Sequence, residues 1–166
     1  MSRVCVGSWA ATTLDCKVFK VKHDMTPVTV DDRYRILSDE AMVVSGQVKC
    51  WNCQSDVDVI CLYCQTGFVD GEAMVDFSVS NVTDIDESLR LQLARWPKFH
   101  PMRARGAGYS PFANHCPSCD KPQDDFYLHC QPGGIFFSFH DPVAEELRIH
   151  ALLGLVRFSG DEGFEP

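Results

Sequence analysis

The chain has 166 residues, 45% of them hydrophobic, and a formal net charge of -8. That length supports one domain core with at most a small appendage, and no stretch approaches the roughly 18 apolar residues of a membrane span. The acidic balance weakens long-range attraction to nucleic acid and anionic lipid, although Arg90, Arg95, Lys98, Arg103 and Arg105 fall between Ser88 and Cys119 with no acid among them.

Lys17 and Lys20 interrupt the N-terminal segment before an apolar core of a signal peptide can form, so a cytoplasmic protein with reduced thiols is expected. Residues 1–49 read as short extended segments. Cys16 to Lys22 and Pro27 to Val30 have the mixed character of half-buried strands, and Tyr34 to Val44 fits helix or strand equally. Cys50 to Tyr63 reads as a cysteine turn running into a strand, and Ala73 to Val79 as a further strand.

Thr83 is placed to cap a helix, with Asp86 as the acidic arm of a capping box, Ile85, Leu89 and Leu93 as its apolar stripe, and Pro97 forcing its end. Residues 97–114 are loop-like. A second cysteine turn leads into a strand through Phe126 and Leu128, and Gln131-Pro-Gly-Gly134 turns the chain into another, Ile135 to Phe139. A last helix is expected from the Asp141 cap, Pro142 at the first helical position, Glu145 and Glu146 near the positive end of the dipole, and Val143, Leu147 and Ala151/Leu152 facing the core. Gly154 ends it. The tail from Gly160 is expected to fray. The fold class implied is α+β: a small mixed β-rich domain with a zinc-ribbon core and two or so helices. Its segments are 1–49, 50–140 with a helical insertion near 84–96, and 141–166, packed as one domain.

Nine cysteines are present, six of them in three C-x-x-C pairs. Two thiolates on one tight turn suit a tetrahedral zinc ion, and a disulfide framework is a poorer fit to an odd number. Cys50-Trp-Asn-Cys53 and Cys116-Pro-Ser-Cys119 are the clearest knuckles. Cys61-Leu-Tyr-Cys64 admits two readings. It completes a compact site with Cys50 and Cys53, or it lies in a strand, where residues three apart face opposite ways and cannot chelate together. The absence of turn formers in Ile60-Cys-Leu-Tyr63 favours the strand, leaving one shared site of Cys50, Cys53, Cys116 and Cys119. A second metal held by His115, Cys116, Cys119 and either His129 or Cys130 is the alternative.

Cys50-Trp-x-Cys53, Ala113-Asn-x-Cys-Pro-x-Cys119, Gln123-x-Asp-Phe-Tyr-Leu-His129 and Pro132-Gly-Gly-x-Phe136-Phe together resemble a group of uncharacterised bacterial zinc-ribbon proteins. That group pairs a C-W-x-C turn with a later A-N-x-C-P-x-C-x-x-x-Q-x-D-aromatic-aromatic-L segment. The resemblance spans about residues 50–64 and 107–137 and implies Cys50, Cys53, Cys116 and Cys119 as ligands, with an ordinary apolar strand after the first knuckle. The sequence departs from it in Cys61 and Cys64, and in Asp120 where such knuckles usually carry glycine. It implies no activity.

Catalytic zinc keeps an open position, usually among His and carboxylate ligands, whereas four thiolates close the site. His-x-Glu, H-E-x-x-H and G-x-S-x-G are absent from the sequence. The expectation is therefore a non-enzymatic, zinc-stabilised interaction or adaptor protein, including an inhibitor or immunity type, whose partner is another protein and not a membrane. The alternative is a nucleic-acid-associated zinc ribbon using the basic and aromatic loop 90–109, with Arg95, Trp96, Lys98, Arg103 and Arg105 as contacts.

Overall fold

In the computed structural model, residues 33–102, 110–137 and 147–164 are described. Their nine strands are β1 (Ile36–Ser38), β2 (Ala41–Lys49), β3 (Asp56–Val69), β4 (Glu72–Ile85), β5 (Phe99–Pro101), β6 (Phe112–His115), β7 (Pro122–Gln123), β8 (Arg148–Ala151) and β9 (Val156–Phe164). One helix, α1 (Glu87–Leu93), follows β4, and a π-helical turn covers Phe126–Cys130. Among the described residues no helix is long and apolar enough to cross a membrane.

The arrangement follows from β3, which is apolar on both faces. Val57, Val59 and Cys61 enter one buried cluster, and Ile60, Leu62 and Cys64 the other. Successive residues of a strand point to opposite sides, so β3 is the wall between two cores. The large antiparallel sheet has the order β1-β9-β4-β3-β2-β8, and β1 also pairs with β3. β1 and β2 lie one after the other along the same edge of β3, with Ile36 opposite Val69 and Ala41 opposite Cys64. β1 gives its other edge to β9, with Ile36 opposite Phe158. β3, β4, β9 and β1 thereby close into a ring, which removes the exposed edges an open sheet would leave. Ile36, Leu62, Phe77, Val79, Val156 and Phe158 belong to the first cluster.

The second cluster (Val44, Cys50, Val57, Val59, Cys61, Cys116, Leu128, Ile135 and Phe136) joins the large sheet to the smaller sheet β5-β6-β7. The joint is a side chain. β3 and β4 pair as far as Leu62 and Val79, after which β4 leaves the ladder at Asn81, where φ is 46°. The next outward-pointing position on β3, Ile60, would lose its partner. Asn114 of β6 supplies it: its Oδ1 accepts from Ile60 N–H at 2.8 Å and its Nδ2 donates to Ile60 C=O at 2.9 Å. An amide side chain has the one acceptor and the donors needed to imitate a neighbouring strand.

Several expectations from the sequence are corrected here. The fold is not α+β with two or so helices but a predominantly antiparallel β structure. Where the final helix was expected, Arg148–Ala151 forms β8. That stretch bonds to the free edge of β2, with Ser45 opposite Arg148 and Met42 opposite Ala151. A ladder satisfying a whole strand edge overrides a weak four-residue periodicity; Asp141 to Glu146 lie outside the described residues. The helix near 84–96 begins at Glu87 and not after Thr83, because Asp84 and Ile85 stay paired with β9. Asp86 is the cap, its Oδ1 accepting from Leu89 N–H at 2.8 Å, while its Oδ2 accepts from Arg157 N–H at 3.0 Å.

Phe126 to Leu128 is part of the π-helical turn, entered through Asp124 Oδ1, which accepts from Phe126 N–H at 2.9 Å. As far as Phe164 the tail is not frayed, since Val156–Phe164 is β9 and pairs along β4. Residues 97–114 contain β5 and β6, not loop alone. Ile135 and Phe136 are buried, but in turns, with Phe137 N–H donating to Gly134 C=O at 3.0 Å. The strands expected at 16–22 and 27–30 lie outside the described residues.

Asn114→Ala leaves a buried N–H and a buried C=O of Ile60 without partners, and should lower the unfolding free energy by about 2–4 kcal/mol. Urea denaturation measures it, and Asn114→Asp, which can accept but not donate while ionised, should fail to restore the loss.

Candidate metal centre

Each knuckle is built by the same two main-chain bonds. In the first, Gln54 N–H donates to Cys50 C=O at 3.0 Å and Cys50 N–H to Ser55 C=O at 2.9 Å. In the second, Asp120 N–H donates to Cys116 C=O at 3.0 Å and Cys116 N–H to Lys121 C=O at 2.9 Å. Closing so tight a loop requires a left-handed residue after the second cysteine, and Gln54 and Asp120 take φ of 61° and 57° there. Those are positions glycine occupies without steric cost. The first turn opens from the end of β2 into β3, and the second links β6 to β7.

The sulfur atoms of Cys50, Cys53, Cys116 and Cys119 all lie within 4.8 Å of one another. Cys50 and Cys119 Sγ are 3.7 Å apart, and Cys53 and Cys116 Sγ 3.6 Å. A disulfide would need about 2 Å. Sulfurs on a tetrahedron about 2.3 Å from a central ion would sit about 3.8 Å apart. The four cysteines could therefore hold a metal ion. The first cysteine of each pair, Cys50 and Cys116, is buried in the second core, while Cys53 is exposed.

The surroundings favour negative sulfur at Cys50 and Cys116. Ser55 Oγ lies 3.1 Å from Cys53 Sγ and 3.2 Å from Cys116 Sγ. Gln123, itself buried, points Nε2 at Cys50 Sγ at 3.6 Å. The Ser55 hydroxyl, helped by the N–H groups of Cys119 and Ser118, outweighs burial and brings the Cys116 thiol down to about 6. Burial opposes ionisation of Cys50, but the N–H groups of Cys53 and Asn52 outweigh it and its thiol is lowered. The Lys121 N–H favours a Cys119 thiolate, yet burial and the Cys53 and Cys50 sulfurs push that thiol up to about 11. Four adjacent thiolates cannot coexist without a cation, and a divalent ion removes that conflict.

The other sequence candidates fall elsewhere. Cys61 and Cys64 sit on opposite faces of β3, in different cores. Burial, against a weaker hydrogen bond from Ser38, pushes the Cys64 thiol up to about 12. His115 shares no metal-binding group among the described residues. Its Nδ1 lies 2.9 Å from Ala113 C=O and its ring stacks on His100 at 3.8 Å. Burial and the His100 ring keep its pKa low. His129 packs against Phe136 with ring centroids 5.2 Å apart, and Cys130 is exposed.

Arg95 stacks over Trp96 at 5.2 Å, and Lys98 Nζ pairs with Asp120 Oδ1 at 3.3 Å. Arg103 and Arg105 lie outside the described residues. Ser55 is the site residue that sequence reasoning missed, and Gln123 entered it only as part of a motif. The signal for Ser55 was its place two residues after the knuckle's second cysteine, where Cys116 also requires a donor.

Compared with known protein families, curated proteins and solved structures, the chain matches none.

The left-handed geometry predicts that Asp120→Gly changes stability little or raises it by up to about 1 kcal/mol, whereas Asp120→Val lowers it by about 1–2 kcal/mol. Thermal unfolding of the two variants under one buffer is the measurement. A pH effect is expected at His129, whose Nδ1 is buried with no hydrogen-bond partner among the described residues. Burial lowers its pKa to about 4, from an ordinary 6.5. Because the folded value is depressed and the neutral form is the one folding favours, its contribution is complete above pH 6.5. It is lost as pH falls toward 4, on the order of 3 kcal/mol in all. His129→Phe should flatten that part of the stability–pH curve relative to wild type.

Proposed function

We propose that the chain is a zinc-stabilised, non-catalytic binding protein of the cytoplasm whose partner is another protein. Its metal site is of the kind carried by the zinc-ribbon proteins its knuckles resemble. The observation that carries the reading is the convergence of four thiols, from two turns of identical hydrogen bonding, within 4.8 Å. A soft, all-thiolate tetrahedral donor set suits zinc over the harder divalent cations. Four sulfurs also leave a tetrahedral ion no position for water or substrate, which supports a structural role for the metal.

The magnitude supports a role in folding. A structural zinc in small peptides contributes on the order of 10–16 kcal/mol, comparable with the whole net stability of a typical domain. Beside the knuckles, aromatic side chains stand in solvent: Trp51 is 60% exposed, Phe126 59% and Tyr127 61%. Trp51 is fixed by its indole N–H, which donates to Pro122 C=O at 2.9 Å. Rigid, exposed aromatics of this kind are enriched at protein interfaces, and a net charge of -8 disfavours a polyanionic partner. In the basic segment, Arg90 is engaged by Glu87 and Lys98 by Asp120.

Reduced protein purified without chelator should contain close to one zinc per chain by elemental analysis. Cys116→Ser should lose the metal and most of the cooperative unfolding transition, while Cys61→Ala should retain the full zinc content. Metal-free wild type with an unchanged melting transition would sink the proposal. Trp51→Ser and Tyr127→Ser are expected to keep zinc and fold and to weaken partner binding.

A further inference from the structure

β2 and β3 carry the sulfur site on one face. On the other, where the first core runs out, their side chains turn polar. Val43 and Ile60 are buried in that core. Along β2, residues 45 and 47 continue the same face as Val43, and along β3 Asp58 continues that of Ile60. Gln47 Nε2 donates to Asp58 Oδ1 across the pair at 3.1 Å. The edge strand β8 adds Arg148 and His150, two residues apart and so on one face, and Ser45 Oγ lies 2.9 Å from His150 Nε2. The segment after α1 folds Arg95 and Trp96 over the opening. Together these residues enclose a cleft of about 450 Å³, the size of an ordinary small-molecule site.

Its charge is unusual for this chain. Among the described residues, Arg35, Lys49, Arg90, Lys98 and Arg157 all have carboxylate partners. Arg95, Lys121 and Arg148 show no carboxylate partner among the described residues, in a protein of net charge -8, and two of the three, Arg95 and Arg148, line this cleft. The aromatic floor is ordered as well: the Trp96 and His150 rings meet edge to face at 5.2 Å, and Arg95 lies over Trp96 at 5.2 Å.

We propose that this cleft binds a small phosphate ester bearing a ring, of the nucleoside monophosphate class. Two unpaired guanidiniums match a dianionic phosphate, which Arg grips bidentately. The Trp96 and His150 rings line the cleft, and Asp58 and Gln47, bonded to each other, present an acceptor and an amide on the same lining for ligand hydroxyls. A nucleic-acid strand is disfavoured because the groove is bounded and the protein is strongly acidic. The proposal is independent of the metal reading, since the sulfur cluster occupies the opposite face of the same strands.

The test is calorimetric titration of the full chain, as purified under reducing conditions, with adenosine monophosphate, adenosine and inorganic phosphate at low ionic strength. The monophosphate should bind at least tenfold more tightly than either of the others. Arg95→Gln and Arg148→Gln, both at exposed positions, should each weaken it at least tenfold with unchanged thermal midpoint. In NMR spectra of the wild type, the Trp96 indole and His150 ring should shift on titration. Equal affinity for the three probes, or variants that bind as wild type does, would overturn the proposal. So would a single-stranded oligonucleotide binding tenfold more tightly than the monophosphate with a steep salt dependence, which would assign the surface to a polymer. A variant that changes its melting point is replaced by Arg148→Lys, which keeps the charge and should still lose affinity.

Discussion

Four sulfur atoms from turns separated by 63 residues must meet at one point, and the relation between the two sheets serves that constraint. The first turn can be placed only if β2 and β3 are paired to their ends, since Cys50 follows directly on β2. The second can be placed only if β6 runs alongside β3. Asn114, two residues before Cys116, fixes that approach by acting as the strand Ile60 lacks. A cross-link closing a loop of this length withdraws about 4 kcal/mol of chain entropy from the unfolded state by the disulfide estimate. A metal at this point would therefore stabilise through topology as well as through its bonds. Cys50 and Cys116 are also members of the second core, so the site and the apolar layer are one cooperative unit.

The site was more legible in the sequence than the fold around it. C-x-x-C spacing encodes a turn geometry that depends on few residues, and the alternation rule alone separates Cys61 from Cys64. Both are local properties. The helices were read less well for the same reason. Val143, Leu147 and Ala151 have helical spacing, yet Arg148–Ala151 is a strand because β2 presents an unsatisfied edge there, and no window of the sequence contains β2 and β8 together. Thr83 failed as a cap because β9, more than seventy residues later in the chain, holds Asp84 and Ile85 extended. The missed role of Asn114 belongs with these: its partner is 54 residues away, and a buried asparagine in a short strand carries no mark of what it bonds.

The knuckles show how a site tolerates residues that its backbone disfavours. Gln54 and Asp120 hold left-handed conformations in place of glycine, and each has a compensation. Gln54 folds its own amide back onto Cys50 C=O at 3.0 Å. Asp120 pairs with Lys98, and that ion pair lowers its pKa further. Lys98 C=O in turn accepts from His115 N–H at 2.7 Å. The strain of the second turn is thus offset by contacts reaching back to the strand beside β6, which ties knuckle geometry to the smaller sheet's pairing.

The division of labour between the faces of β2 depends on its alternation. Val44 and Gly46 point toward the second core, and Val43, Ser45 and Gln47 toward the first core and the cleft. Gly46 is dictated by packing: a Cβ there would lie 2.4 Å from Ile135 Cδ1 and 2.9 Å from Leu147 Cδ2. The close approach of those two side chains seals the cysteine-bearing layer over the middle of β2. On the opposite face Ser45 and Gln47 meet His150 and Asp58 by hydrogen bonds and line the cleft. One face of the strand is filled to the backbone, and the other is left open with charge around it. The two faces of one strand therefore differ in packing: the sulfur cluster lies on the filled side and the cleft on the open one.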